Sequence, residues 1–152
     1  MTELERCELA KERGYTYDPI SGNLFGVKGK VITRKVKGYI IFEIGKENKK
    51  YSIYAHRQAW YLHYGKLPNN LIDHINGDKA NNKISNLRDV TKQQNNWNTH
   101  KSKGYTWNKG NKKFEAFINL KGKRIYLGLF KTTDEAHNAY LQAKKIYHPI
   151  PN

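Results

Sequence analysis

The chain has 152 residues, and 28 lysines and arginines against 13 aspartates and glutamates give a formal net charge of +15. No stretch approaches the roughly 18 apolar residues of a membrane span, which excludes a membrane protein. The single cysteine, Cys7, excludes disulfide scaffolds, all-cysteine zinc sites and iron–sulfur clusters, and it fits a reducing cytosol. The acidic start argues against a signal peptide, so we expect a cytoplasmic protein.

The positive charge runs through the whole chain and peaks at its C-terminal end. The basic surplus is four residues in 1–50, three in 51–100 and eight in 101–152. Such a distribution is typical of a protein that lies along nucleic acid. The alternative is a solvated surface, but a small protein needs a net charge of only ~2–8 for solubility.

The first third of the chain reads as a short helix followed by strands. A helix is predicted over 2–13, and glycine-punctuated runs of Val, Ile, Tyr and Phe up to Tyr54 predict a small antiparallel sheet. Lys30, Arg34 and Lys35 lie near its hairpin turns. A solvated sheet edge is the default interpretation of such residues. We predict that they contact a nucleic-acid backbone instead.

The middle of the chain is a helix followed by a compact polar unit. The pattern AHRQAWYLHY predicts a helix over 55–64. Strand-like pieces around 71–74 and 87–90 then flank a long Asn/Gly/Asp loop. Thr91 opens another helix, where Gln94 completes a capping box.

This polar unit carries residues suited to hydrolysing a phosphodiester, which requires a base and a cation. Asp73 and His74 end the first strand with side chains on opposite faces. Asn95 lies one turn into the following helix, where its amide oxygen could share a cation with Asp73. Asn86 is placed to bind the loop to the backbone and to orient the His74 ring.

The segment DHINGDKANNKISNLRDVTKQQNN resembles the core of the HNH endonucleases, specifically the phage and intron-encoded homing branch. The resemblance implies a ββα-metal fold that cuts double-stranded DNA with one divalent cation. It implies His74 as the general base, Asp73 and Asn95 as metal ligands, and Asn86 as the structural asparagine. The spacing fits, with 12 residues from His74 to Asn86 and 9 more to Asn95.

Asn95 stands where many HNH enzymes have a histidine, which resembles the subgroup that nicks one strand. One carboxylate and one amide are hard oxygen ligands, so Mg²⁺ or Mn²⁺ is favoured over Zn²⁺ or Ni²⁺. With one charged protein ligand, we expect the scissile phosphate to complete the coordination shell. The remaining histidines are interpreted as packing, capping or phosphate-facing residues; they are His56, His63, His100, His137 and His148.

The last third of the chain predicts three strands and a helix behind a basic linker, 99–104. A capping box, Thr132 with Glu135, opens the helix. The strand alternation sends an apolar set towards the helix and a polar, basic and aromatic set outwards. The inward set is Phe114, Ala116, Ile118, Leu120, Ile125 and Leu127.

The segments SKGYTW, KKFEAFI and RIYLGLFKTTDEAHNAY resemble the APETALA-type DNA-binding domain of plant ethylene-response factors, in which a three-stranded sheet lies in the major groove. A small α+β domain that only packs on the nuclease is the alternative. The resemblance and the strand alternation predict these DNA contacts: Lys103, Thr106, Asn108, Lys113, Glu115, Phe117, Arg124 and Tyr126.

Together these features predict an α+β protein with a β-rich DNA-contacting region over 1–54, an HNH core over 55–100 and an APETALA-type domain over 101–152. We expect a monomeric, strand-nicking homing endonuclease of a bacterial or phage-infected cell, with no membrane partner and no small-molecule substrate. A non-cleaving DNA-binding regulator on a nuclease-derived scaffold is the alternative. A colicin-like or restriction nuclease is a third possibility.

Overall fold

The structure, a computed structural model, describes residues 1–97 and 102–149. The fold is α+β, as predicted, and it forms two compact units, the first from Met1 to Asn95 and the second beginning at Asn96. Residues 99–101 of the predicted linker, which include His100, lie outside the described residues. None of the helices in the described part of the chain is long and apolar enough to span a membrane.

The first unit consists of short antiparallel sheets, with helices and a 3₁₀ turn between and around them; its last helix, α3, continues to Trp97. Strands β1 and β2 pair with each other, β3, β4 and β5 form one sheet in that order, and β6 pairs with β7. The elements in chain order are α1 (Glu3–Glu12), β1 (Thr16–Tyr17), β2 (Leu24–Phe25), β3 (Lys35–Val36), β4 (Tyr39–Lys46), β5 (Lys49–Tyr54), α2 (Ala55–Tyr64), β6 (Leu71–His74), the 3₁₀ turn (Ile84–Asn86), β7 (Leu87–Val90) and α3 (Lys92–Trp97).

A capping box formed by Thr2 and Glu5 sets the start of helix α1. Thr2 Oγ1 accepts a hydrogen bond from the Glu5 amide at 3.3 Å, and the Glu5 carboxylate accepts one from the Thr2 amide at 2.7 Å. The small buried residues Cys7 and Ala10 let this helix approach the core closely. The core residues packed with them come from β2, β4, β5 and α2, and they are Leu24, Phe42, Ile44, Ile53, Ala55 and Tyr61.

The β6–β7 hairpin and helix α2 lie at the predicted positions. The hairpin pairs Asp73 with Arg88 and His74 with Leu87. A capping box between Thr91 and Gln94 opens α3, with the Gln94 amide donating to Thr91 Oγ1 at 3.3 Å. Since a two-stranded hairpin is only marginally stable alone, the hairpin depends on its packing against the rest of the unit.

The second unit is a three-stranded antiparallel sheet covered on one face by a helix. Its elements are β8 (Tyr105–Asn108), β9 (Lys113–Leu120), β10 (Lys123–Phe130) and α4 (Thr133–Tyr147), with β9 in the centre of the sheet. The predicted capping box opens α4, because the Glu135 amide donates to Thr132 Oγ1 at 3.2 Å. The core lies between β9 and α4, where Ile118 packs on Tyr140 and Ala143.

Gly104 shows how closely this helix packs on the segment before β8. Its φ angle is +71°, and a Cβ atom there would lie 2.0 Å from Cγ of Tyr140. Both the left-handed backbone and the missing side chain are therefore required at this position.

Candidate active site

His74 ends strand β6 with its ring buried at 4% exposure, inside a cluster of aromatic rings. The His56 ring meets it edge-to-face, with centroids 5.2 Å apart, and Tyr39 lies 6.0 Å away. Tyr54 completes the cluster, 5.4 Å from both Tyr39 and His56. These rings come from β4, β5 and the first turn of α2, so three elements outside the hairpin enclose the imidazole.

Burial keeps both imidazoles of this cluster neutral. Burial, together with the neighbouring His74 and Arg57, lowers the pKa of His56 to about 3. Burial also lowers the pKa of His74, although its hydrogen bond to Asn82 and the Asp73 carboxylate act in the opposite direction. A neutral imidazole is the form that can accept a proton, so His74 meets the first requirement of a general base at neutral pH.

Asp73 forms a buried ion pair with Arg88 across the hairpin. Nε and Nη2 of Arg88 both donate to Oδ2 of Asp73, at 3.0 and 2.9 Å. The register explains the pair, because these residues stand opposite each other in the β6–β7 ladder. A guanidinium in this position balances most of the negative charge of the carboxylate. Sequence reasoning missed Arg88, whose signal was its place opposite Asp73 in the predicted hairpin.

Asn86 ties the loop between the two strands, as expected from the sequence. Its Oδ1 accepts from the Asn76 amide at 3.0 Å, and its Nδ2 donates to the Asn81 carbonyl at 2.8 Å. The side chain that binds the His74 ring is a different asparagine, Asn82, whose Oδ1 lies 3.1 Å from Nε2 of His74. The sequence predicts that Asn86 orients the His74 ring, but in the structure Asn82 makes this contact.

Asn95 lies on helix α3 and lines an open cleft of about 280 Å³. The cleft also contains His56 and Ile72, the residue that precedes Asp73 in β6. Its other lining residues are Tyr39, Tyr54, Arg57 and Leu71. His56, one of the histidines interpreted as packing, capping or phosphate-facing residues, thus lines the cleft and contacts the His74 ring.

The oxygen donors of Asp73 and Asn95 suit a hard divalent cation such as Mg²⁺ or Mn²⁺ in chemistry. They do not form a complete protein cage. Over residues 1–97 and 102–149 no three His, Cys, Asp or Glu side chains are grouped so that they could hold a metal. Because Arg88 also offsets the charge of Asp73, these two side chains alone would hold a cation weakly.

The outward residues predicted on the C-terminal sheet share one of its faces. In the register Asn108 faces Lys113, Thr106 faces Glu115, and Tyr126 faces Phe117. Residues opposite each other in an antiparallel pair point to the same side, away from Ile118 and the covering helix. The Arg124 guanidinium lies 3.9 Å from the Phe117 ring centroid, and Asn108 Nδ2 donates to Glu115 at 2.9 Å. Lys103, before β8, is exposed.

The three N-terminal residues predicted to contact DNA are exposed, and one of them has a protein partner. Arg34 forms an ion pair with Glu43 at 3.0 Å. Lys30 and Lys35 are exposed, the latter in strand β3. The arrangement leaves their charge accessible to a polyanion.

Residues 53–97 match the family model described as HNH endonuclease. This matched segment, which is similar to an HNH endonuclease domain, spans the end of β5, helix α2, the β6–β7 hairpin and helix α3. The match includes His74, Asp73, Asn86 and Asn95. It ends at Trp97 and does not reach the C-terminal sheet.

Two known proteins are similar to parts of the chain. Protein 3.8 of Escherichia phage T7 is 28% identical over 103 residues, which cover 56% of this chain and 85% of that protein. A solved structure that describes DNA binding and cleavage by the HNH homing endonuclease I-HmuI is 29% identical, with a TM-score of 0.45. The match covers 55% of this chain and 50% of that one, so the chain spans half the length of the solved protein.

Acidification is expected to destabilise the protein through His56. The pKa of its imidazole is about 3 in the folded protein and about 6.5 in an unfolded chain. Between these values the unfolded state binds the additional proton, so stability is lost as the pH falls from about 6.5 towards 3. In urea unfolding, the wild-type midpoint should decrease from pH 7 to pH 5, and His56→Gln should show a smaller decrease.

His63 provides the matched control for this measurement, since it lies on the same helix with an exposed side chain. His63→Gln should retain the pH dependence of the wild type. An unchanged pH dependence in His56→Gln would show that the imidazole is not held neutral by the fold.

Proposed function

We propose that this protein is a DNA endonuclease of the HNH type, in which His74 is the general base and a divalent cation, Mg²⁺ or Mn²⁺, is required. The observation that carries the proposal is the buried, neutral imidazole of His74 beside the Asp73 carboxylate, within the segment that matches the HNH family. In this function His74 accepts a proton from the water that attacks the phosphodiester. Asn86 fixes the loop that follows His74 through its hydrogen bonds to the backbone of that loop.

Asp73 and Asn95 are the side chains that would hold the cation. When bound, it would neutralise the charge that develops on the phosphate and the leaving oxygen. The Arg88 guanidinium orients Asp73 and reduces its net charge. We therefore expect weak cation binding to the free protein and stronger binding when the DNA phosphate contributes further oxygen ligands.

The ion pair between Asp73 and Arg88 also favours a second candidate, a DNA-binding regulator on a nuclease-derived scaffold. A carboxylate that is balanced by a buried guanidinium attracts a cation less than a free one. Such a protein would bind DNA and leave it intact. Incubation with supercoiled plasmid and Mg²⁺ or Mn²⁺ separates the two candidates, because only the nuclease converts the plasmid to nicked or linear product.

We propose that the C-terminal unit binds double-stranded DNA through the sheet face that carries Phe117, Arg124 and Tyr126. The resemblance to APETALA-type domains and the basic surplus of residues 101–152 support this role. A guanidinium stacked on an aromatic ring is held in a fixed orientation, as bidentate base recognition requires. Lys113 and Lys103 would contact phosphates.

The remaining features of the proposal concern the whole protein. We propose a monomer that nicks one strand, as the asparagine at position 95 suggests, and that acts as a homing enzyme in the cytoplasm of a bacterial or phage-infected cell. Lys30, Arg34 and Lys35 would contact the DNA backbone beside the nuclease domain. We propose the predicted division into 1–54, 55–100 and 101–152 as its functional organisation.

Replacement of His74 tests the base. His74→Ala should lower plasmid cleavage by ~10²–10⁴, the usual contribution of general-base catalysis, while gel-shift affinity for DNA stays near that of the wild type. The exposed His63→Ala variant is the control and should cleave normally. Equal cleavage by His74→Ala and wild type would remove His74 from the reaction.

Replacement of the oxygen donors tests the cation site. Asp73→Asn retains an acceptor for Arg88 but removes the charge, and it should abolish most Mg²⁺-dependent and Mn²⁺-dependent cleavage. Asn95→Ala should require a higher Mg²⁺ concentration for half-maximal cleavage. Gln93→Ala, exposed on the same helix, should behave as wild type. Calorimetry that showed tight Mg²⁺ binding to the DNA-free protein would contradict a site completed by phosphate.

Replacement of Arg124 tests the sheet face. Arg124→Ala should relax sequence choice. Lys113→Ala should weaken binding evenly across sequences and reduce the salt dependence of DNA binding by about one unit of slope. Lys145→Ala, exposed on α4, removes the same charge from the helix and should change neither property. If Arg124→Ala and Lys145→Ala behaved alike in competition assays, recognition would have to lie elsewhere.

A further inference from the structure

The loop that returns from His74 is anchored by a segment far away in the chain. The Tyr17 hydroxyl, at the end of β1, donates to the Asn82 carbonyl at 2.6 Å. Two residues further on, the Pro19 carbonyl accepts from the Ile84 amide at 3.2 Å. Two hydrogen bonds therefore fasten residues 82–84 to the N-terminal turn.

Gly22 brings the same two segments into backbone contact. A Cβ atom at this position would lie 2.4 Å from the Lys83 nitrogen and 2.8 Å from the Asn82 carbonyl carbon. The φ angle of Gly22 is +78°, which residues with a side chain adopt at a cost. Backbone atoms cannot move aside as a flexible side chain can, so the turn and the loop fit together only with glycine here.

The side chain of Asn82 then faces the His74 ring. Asn82 is 2% exposed, and its Oδ1 lies 3.1 Å from Nε2 of His74. An amide oxygen can only accept a hydrogen bond, so Nε2 of His74 is the donor. A neutral imidazole carries one proton, which leaves the lone pair on Nδ1.

We propose that Asn82 is a positioning residue that fixes His74 in the Nε2-protonated tautomer and thereby makes Nδ1 the atom that accepts the proton from water. Tyr17 and Gly22 hold Asn82 in place through its backbone. This role of Asn82 rests on the proposed function, in which His74 is the general base. It assigns the N-terminal turn a part in the active site, although this turn lies outside the segment that matches the HNH family.

The chemistry explains why such a residue is needed. The rings around His74 restrict the tilt of its imidazole but do not distinguish its two nitrogens by themselves. A base with the wrong tautomer presents an N–H group to the water instead of a lone pair. Burial raises the pKa of Tyr17 to about 12, so its hydroxyl remains a donor throughout the pH range of an ordinary assay.

The test compares two variants of similar volume in the full-length protein. Asn82→Leu removes the acceptor, and Asn82→Asp keeps one. With supercoiled plasmid and Mn²⁺ at pH 8, Asn82→Leu should lower kcat by about 10²-fold, as for other small errors in the orientation of a reacting group. KM and gel-shift affinity should stay unchanged. Asn82→Asp should retain most of the activity.

The tautomer is measured directly, which separates this inference from the proposed function. A long-range ¹H–¹⁵N correlation spectrum of the imidazole rings, with His74 assigned by its absence in His74→Ala, should show Nε2 protonated in the wild type. Asn82→Leu should lose this preference. An Nδ1-protonated His74 in the wild type, or wild-type kcat in Asn82→Leu, would overturn the inference. If the wild type failed to cut DNA, the proposed function would fail, and the spectrum would still decide the role of Asn82.

Two variants in the N-terminal turn keep the test decisive if Asn82→Leu does not fold. Tyr17→Phe removes only the hydroxyl and should lower kcat about fivefold, the factor that corresponds to one ordinary hydrogen bond. Gly22→Ala should lower kcat further. Gly14→Ala is the matched control, because Gly14 has φ +87° and nothing within 4 Å of the added carbon. If Tyr17→Phe and Gly22→Ala both kept the wild-type kcat, the anchoring role of the turn would be wrong.

Discussion

The burial of one polar ring, the imidazole of His74, is the constraint on which the first unit depends. A buried imidazole loses its hydration, and it must be hydrogen-bonded and kept neutral to be stable there. The structure meets this demand with Asn82 on one ring nitrogen and with the rings of His56 and Tyr39 around it. Because these partners come from β4, α2 and the loop, enclosing one side chain brings three separate parts of the unit against β6.

The asparagine-rich loop after His74 is ordered by its own polar side chains. Asn76 and Asp78 each accept a hydrogen bond from the backbone amide two residues further on, at 2.9 and 3.0 Å. Asn81 does the same for Lys83 at 3.3 Å. Such Asx turns replace the backbone partners that a helix or sheet would supply. Asn86 then closes the loop onto its own start, so a segment without regular structure still presents a fixed side chain to the His74 ring.

The charges of the two units serve different purposes. Around Asp73 the guanidinium of Arg88 brings opposite charges together in a buried pair, which fixes geometry more than it adds stability. On the C-terminal sheet the basic side chains lie on an exposed face. There the Arg124 guanidinium lies over the ring of Phe117, an uncharged partner, so its charge stays available to a polyanion. In the proposed function, the chemistry therefore resides in the first compact unit and the recognition of base sequence in the second.

The sequence by itself determined the elements and their faces, because these follow from local signals. Capping boxes set the starts of α3 and α4, and alternation with turn residues set β6, β7 and the outward face of the C-terminal sheet. Only the tertiary structure decided which residues surround His74. His56 reaches it from another element, and Asn82 depends on Tyr17, which is 65 positions away in the chain. Neither contact leaves a periodic pattern, because each arises where separately folded segments pack against one another.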